Sequence, residues 1–207
     1  MSIIINVGRQ LGSGGRVIAQ RLAEHFQATF YDKEILALAA KESGFAPEVF
    51  ERNDEHKGFL RTLFNLHAPN MSGTFYPTSF SQEGLFKLQS DAIRKAAAAG
   101  SCVFVGRCAD YVLRDFPNVF NVFVTASMEF RMQHVMERHQ CTPEEARHII
   151  EKGEAERASF YNYYTGKRWG AAENYHLCAD ASLLGVEATA DFIARFIESH
   201  QNLNRHE

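Results

Sequence analysis

The chain has 207 residues, of which 45% are hydrophobic and 23% are charged, so it is long enough to bury one sizeable core. It has 22 basic and 25 acidic residues, and the resulting formal charge of -3 argues against a protein that coats nucleic acid. No apolar run approaches the roughly 20 residues of a membrane-spanning helix. The first residues lack the basic segment and cleavage site of a signal peptide, so we expect a cytoplasmic protein. From the charge and the short apolar runs, we expect neither nucleic-acid nor membrane partners.

The cysteines and histidines point to neither a disulfide framework nor a zinc site. There are four scattered cysteines and nine histidines, with no CxxC pair and no HExxH sequence. We interpret the cysteines as reduced, buried, small apolar residues. They are Cys102, Cys108, Cys141 and Cys178.

The chain begins with a predicted strand, a glycine-rich loop and a helix. Four of the five residues over 3–7 are apolar and β-branched, which indicates a buried strand, and apolar residues at helical spacing follow over 17–26. A short strand is predicted at 29–31. Asp32 follows it, and this carboxylate either caps the next helix or contacts a substrate or Mg²⁺.

The middle of the chain is less regular. A helix is predicted from Asp32 to the Ser43-Gly44 pair, and a second over residues 48–66. Residues 65–81 contain prolines and glycine without a period, which predicts a long loop.

Helices and strands alternate again in the second half. The predicted elements are a helix over 82–99, strands over 102–105 and 119–124, a polar helix from 143 towards 161, a short strand over 176–180 and a last helix over 186–197. The polar helix opens with Thr142, Pro143 and Glu145, which is the pattern of a capping box.

This alternation predicts an α/β fold with three layers, in which a mostly parallel five-stranded sheet carries helices on both faces. Ligands of such folds bind beyond the carboxyl ends of the strands. Segments rich in glycine or polar residues directly follow each predicted strand, so we expect them to meet at one edge of the sheet.

The first of these segments has the composition of a phosphate-binding loop. Glycines let backbone amides approach an anion at the start of a helix. Counted against the pattern GxxxxGK[ST], with Gly15-Arg16 in place of Gly-Lys, Arg16 replaces the lysine and Val17 replaces the hydroxyl that holds Mg²⁺. The alternative interpretation is a turn that only lets helix and strand pack closely.

Five groups of motifs lie in order along the chain: Gly12-Ser13-Gly14-Gly15-Arg16 with Arg9 before it, Phe30-Tyr31-Asp32-Lys33-Glu34, Val105-Gly106-Arg107, Phe123-Val124-Thr125-Ala126-Ser127 with Arg131 after it, and Asn174-Tyr175-His176-Leu177 with Ala181-Ser182-Leu183-Leu184-Gly185. Taken together, these motifs resemble the cytidylate kinase family, particularly its cytidylate kinase-like branch, over residues 3–197. The chain departs from the family where Cys108 follows Gly-Arg in place of Asp, with Asp110 shifted by two residues.

The resemblance implies a single P-loop kinase domain over 1–207, with an acceptor-binding insertion at about 33–81 and a helical lid at about 140–172. It implies ATP and Mg²⁺ as cofactors, small-molecule nucleotides as partners, and transfer of a phosphoryl group from ATP to a nucleoside monophosphate, with CMP or dCMP favoured. The implied ATP-binding residues are Gly12, Ser13, Gly14, Gly15 and Arg16. The implied catalytic residues are Arg16, Arg131, Lys152 and Arg157. The implied acceptor-binding residues are Asp32, Arg107 and Asp110. No metal ligand is assigned.

Several alternatives stay open. The same fold could phosphorylate another small acceptor, or the chain could be a regulatory nucleotide-binding protein that has lost turnover, which the missing lysine and hydroxyl would favour. Glu154 and Arg157 could be a surface ion pair rather than catalytic residues.

Overall fold

The computed structural model describes residues 2–32 and 82–203. In chain order its elements are β1 (Ile4–Arg9), α1 (Gly15–His25), β2 (Thr29–Tyr31), α2 (Gln82–Ala99), β3 (Cys102–Val105), α3 (Ala109–Val112), β4 (Val119–Thr125), α4 (Met128–His139), α5 (Pro143–Thr165), β5 (Leu177–Asp180) and α6 (Ala181–Leu203). These labels number the described elements only. The predicted helices, loop and acceptor-binding insertion between 33 and 81 lie outside the described residues.

The five described strands form one sheet in the order β2-β3-β1-β4-β5, and every neighbouring pair is parallel. The prediction of a mostly parallel five-stranded sheet is therefore confirmed. The central strand is β1, whose Ile4 lies opposite Cys102 on one side and Val119 on the other. Because all the strands run in one direction, their carboxyl ends share one edge of the sheet.

Helices cover both faces of the sheet, which confirms the three layers. Alternate residues of a strand point to opposite faces, so Ile5 packs in a core with Leu22 of α1 and Ile193 of α6. Ile4 packs in a second core with Ile93 of α2. The near-continuous apolar sequence of β1 is the consequence of burial on both faces.

Helices α4 and α5 form a hairpin with a small core of its own. This core contains Val135, Ala146 and Ile150, and Leu11 of the glycine loop packs against it. The predicted capping box is present, because the Thr142 side chain accepts from the Glu145 amide while the Glu145 carboxylate accepts from the Thr142 amide. The hairpin occupies most of the range predicted as a lid, and its closing movement stays a prediction.

Some boundaries differ from the prediction. Strand β1 continues to Arg9, because Arg9 pairs with Val124 across the sheet. The last helix begins at Ala181, directly after β5, with a non-helical kink at Gly185. Helix α4 was not predicted as an element; its N-cap is Ser127, whose hydroxyl accepts from the Phe130 amide.

The cysteines only partly follow the prediction of burial. All four are free thiols, and Cys102 and Cys108 are buried. Cys141 is partly exposed. For Cys178 the prediction of burial is wrong, because this side chain, on the edge strand β5, is exposed. Within residues 2–32 and 82–203, no helix combines the length and apolarity needed to span a membrane.

Candidate functional site

The glycine loop joins the carboxyl end of β1 to the start of α1. Gly12 and Gly14 have φ angles of +83° and +76°, a region that favours glycine, and α1 begins directly after Gly14. Ser13 is fully buried, and its hydroxyl donates to the Gln10 carbonyl at 2.9 Å. The N-cap residue of α1 is Gly14, which has no side chain to cap the first turn. The loop therefore has the form in which a helix N-terminus can receive an anion.

The loop is packed tightly against the α4–α5 hairpin. A Cβ on Gly12 would lie 2.6 Å from the Arg131 carbonyl oxygen of α4. A Cβ on Gly153 of α5 would lie 3.2 Å from Leu11 of the loop. The close approach of backbone to backbone at Gly12 explains why a glycine is needed there.

Three arginines converge beside the loop. Arg9 ends β1 and Arg107 follows the neighbouring strand β3, while Arg157 reaches in from α5 and donates from Nη1 to the Arg9 carbonyl at 3.2 Å. Burial lowers the pKa of Arg9 well below its usual value, and the charges of Arg157 and Arg107 lower it further. We call these three side chains the arginine cluster.

The other members of the arginine cluster are also partly buried. Burial, aided by the charge of Arg157, lowers the pKa of Arg107 to about 10. Burial likewise lowers the pKa of Arg157. Like charges removed from water repel each other, so an anion among them would be bound favourably.

The turn that carries Arg107 has an unusual backbone. Gly106, Arg107 and Cys108 have successive φ angles of +71°, +62° and +55°, and such conformations are costly for residues other than glycine. The Gln89 side chain donates to the Arg107 carbonyl at 3.3 Å. The Arg107 guanidinium lies 5.8 Å from the centre of the Phe160 ring. Strain of this kind is concentrated at functional sites.

Arg16 and Asp32 form an ion pair. Nε and Nη2 of Arg16 donate to the same Asp32 oxygen at 3.1 and 2.6 Å. The Asp32 side chain is buried, whereas the Arg16 side chain is 53% exposed. The roles predicted for these residues in binding ATP and the acceptor stay predictions, and the helix that Asp32 was expected to cap lies outside the described residues.

Arg131 and Glu154 join α4 to α5. Arg131 is buried and donates from Nη1 to the Glu154 carboxylate. Glu154 thus forms its ion pair with Arg131, and its negative charge also acts on Arg157. Lys152 is exposed on α5. Catalytic roles for Arg131, Lys152 and Arg157 stay predictions.

Asp110 lies in the first turn of α3 and is held by the α4–α5 hairpin. Its carboxylate accepts from the Tyr161 hydroxyl at 2.7 Å. Burial raises the pKa of Asp110, and this hydrogen bond acts in the opposite direction. Burial and the same carboxylate raise the pKa of Tyr161. The predicted contact of Asp110 with the acceptor stays a prediction.

Arg9 was not predicted as a site residue, although it stands in front of the glycine loop. The available signal was a charged residue directly after a buried apolar strand. Within the described parts of the chain, no group of three His, Cys, Asp or Glu side chains is placed to hold a metal ion.

The model of the cytidylate kinase-like family matches residues 4–183. The chain belongs to the cytidylate kinase-like family. No curated protein is similar enough in sequence to be matched to it.

Solved structures support the same fold. An uncharacterized protein from Eubacterium ventriosum ATCC 27560 is 28% identical, with a TM-score of 0.73 over 95% of this chain and 99% of that one. Shikimate kinase from Bacteroides thetaiotaomicron is 13% identical, with a TM-score of 0.54 over 96% and 99% of the two chains. A gluconokinase from Sinorhizobium meliloti 1021 is 11% identical, with a TM-score of 0.57 over 100% and 98%. At these identities the two kinases show the fold alone, and family and fold together place this chain among the P-loop kinases.

Proposed function

We propose that this cytidylate kinase-like protein transfers a phosphoryl group from Mg-ATP to a nucleoside monophosphate, with CMP or dCMP as the favoured acceptor. The observation that carries the proposal is the arginine cluster at the carboxyl ends of β1 and β3, next to the glycine loop. Phosphoryl transfer depends mainly on positioning and on neutralising charge, and partly buried guanidinium groups supply both.

The residues present fit the phosphates of a nucleotide. The first turn of α1, whose N-cap residue is a glycine, offers backbone amides, and the partly buried guanidinium groups of Arg9, Arg107 and Arg157 offer positive charge. In this proposal the loop holds the ATP phosphates and Arg107 binds the phosphate of the acceptor. The α4–α5 hairpin, packed on the loop through Leu11, would exclude water from the transferring group.

Mg²⁺ would enter with the nucleotide. This ion usually keeps several waters and binds substrate phosphates with only one or two carboxylates of the protein. When bound, it supplies further neutralisation of phosphate charge.

The test is release of ADP from Mg-ATP in the presence of a panel of nucleoside monophosphates. Selective turnover with CMP or dCMP would support the proposal. ATP binding without turnover on any member of the panel would contradict it, and would favour another small acceptor or a regulatory nucleotide-binding protein.

A variant of Arg107 tests the acceptor site. We expect Arg107→Ala to raise the KM for the monophosphate at least tenfold, about 1.4 kcal/mol, because a phosphate would lose its guanidinium partner. Arg114→Ala is the matched control, since Arg114 is an exposed arginine that stacks on Tyr111. An unchanged kcat/KM in Arg107→Ala would exclude this role.

A further inference from the structure

The side chain of Arg9 occupies the space that a side chain on Gly15 would need. A Cβ built on Gly15, the first residue of α1, would lie 2.5 Å from Cβ of Arg9 and 3.0 Å from its Cγ. Real Cβ atoms do not approach so closely, so any side chain on Gly15 would displace Arg9. The helical backbone of Gly15 would itself accept other residues.

A second glycine makes room for the far end of the same side chain. A Cβ on Gly106, directly after β3, would overlap Nη1 of Arg9. The arginine therefore extends from the start of α1 to the end of β3, across the edge of the sheet where the glycine loop lies. Two glycines, far apart in sequence, leave this path open.

The position of Arg9 relates directly to the phosphate-binding pattern. In GxxxxGK[ST] the lysine directly follows the second glycine and opens the helix. Here Gly14 directly precedes α1, so the lysine position is Gly15 and the position of the first glycine is Arg9. In this register the glycine and the cation have exchanged places. The alternative register, with Gly15-Arg16 in place of Gly-Lys, puts Arg16 at the lysine position, but Arg16 is bound to Asp32 and half-exposed.

We propose that Arg9, from the end of β1, binds the ATP phosphates in place of the lysine that other P-loops carry at the start of the helix. The proposal rests on the proposed function, since it takes the glycine loop to be the phosphate site. A guanidinium can bind phosphate oxygens through two parallel hydrogen bonds, which gives it both charge and orientation.

The charges around Arg9 favour an anion there. The positive charges of Arg107 and Arg157 each act on the Arg9 guanidinium more strongly than the carboxylate of Asp32 does. Asp32 is bound to Arg16, and Glu154 to Arg131. A polyphosphate would offset the repulsion within the arginine cluster.

The first experiment removes the charge and keeps the stem. Binding of ATP and of inorganic tripolyphosphate to the full chain is measured by calorimetry for wild type, Arg9→Gln and Arg9→Lys. We expect Arg9→Gln to weaken both Kd values at least tenfold and Arg9→Lys to retain most of the affinity. Arg21→Ala is the control, since Arg21 lies on the exposed side of α1 in an ion pair with Glu187. Unchanged Kd values in Arg9→Gln would overturn the proposal.

The second experiment returns the cation to the helix. Arg9→Gly removes the side-chain atoms that would overlap a side chain on Gly15, so the fold should accommodate Gly15→Lys in the double variant. Introduced alone, Gly15→Lys should destabilise the fold. We expect the double variant to bind tripolyphosphate at least tenfold more tightly than Arg9→Gly. A double variant with wild-type melting temperature and no better binding than Arg9→Gly would overturn the proposal.

The two proposals fail in different ways. A wild-type chain that binds neither ATP nor tripolyphosphate would overturn the proposed function and the role of Arg9 together. A wild-type chain that transfers phosphate while Arg9→Gln binds ATP equally well would overturn the role of Arg9 alone.

Discussion

Single side chains connect the glycine loop, the sheet and the hairpin. Asp110, which follows β3, accepts from Tyr161 of α5 at 2.7 Å. Burial raises the pKa of this carboxyl above its usual value of 3.8. The folded chain therefore binds a proton at Asp110 more tightly than the unfolded chain does, and this difference makes stability depend on pH.

Asp110→Asn tests that dependence. Because the folded-state pKa is raised, the stabilisation from Asp110 is fully present below its usual pKa near 3.8 and is lost as the pH rises through the raised value. Asparagine is neutral throughout and keeps an oxygen for Tyr161. We expect the free energy of unfolding of wild type, minus that of the variant, to fall as the pH rises from below 3.8 towards neutrality. Urea unfolding at a series of pH values measures it, and a difference that rises with pH would contradict the assignment.

At the scale of elements, an ion pair with a buried arginine joins the two helices of the α4–α5 hairpin. Arg131 is 6% exposed and pairs with Glu154, while its Nε has no hydrogen-bond partner among the described residues. The same stretch of α4 packs its backbone on Gly12 of the loop. The pair therefore positions the hairpin beside the candidate site.

Glu154→Ala tests the pair. Removing the carboxylate leaves a buried guanidinium without its partner, which costs about 3–5 kcal/mol of unfolding free energy. Glu151→Ala, an exposed position on the same helix, is the control and should change stability by no more than about 0.5 kcal/mol. Denaturant unfolding gives both values. Similar losses in the two variants would show that the pair does not stabilise the hairpin.

At the scale of the whole molecule, the loop, the sheet edge and the hairpin meet in one region. A ligand that binds only the folded chain raises its stability by mass action, about 2.7 kcal/mol at a concentration one hundred times its Kd. For a chain of this size, that corresponds to an increase of roughly 5–10 °C in Tm.

We therefore expect Mg-ATP at saturating concentration to raise the Tm by this amount, and adenosine, which lacks phosphates, to raise it far less. Thermal unfolding followed by circular dichroism measures both. Equal shifts with Mg-ATP and adenosine would be incompatible with a phosphate site at the glycine loop.

The layers of the fold were predictable from local sequence. A β-branched apolar run such as that of β1 is buried on both faces wherever helices cover a parallel sheet, and alternation of strands with helices favours such a sheet. The capping box at Thr142 was also predictable from sequence, because its hydrogen bonds join residues that are three positions apart. The convergence of Arg107 and the glycine loop followed from the common direction of parallel strands.

Contacts between distant segments were decided by the tertiary structure. Spacing could not show that Arg131 is buried against Glu154, because burial depends on how two helices pack. Nor could it show that the Arg9 side chain fills the space beside Gly15, since that follows from the distance between the end of β1 and the start of α1. Local propensities act between neighbours in sequence, whereas excluded volume and buried charge act between neighbours in space. Which of Arg9 and Arg16 takes the place of the P-loop lysine therefore depends on contacts in space.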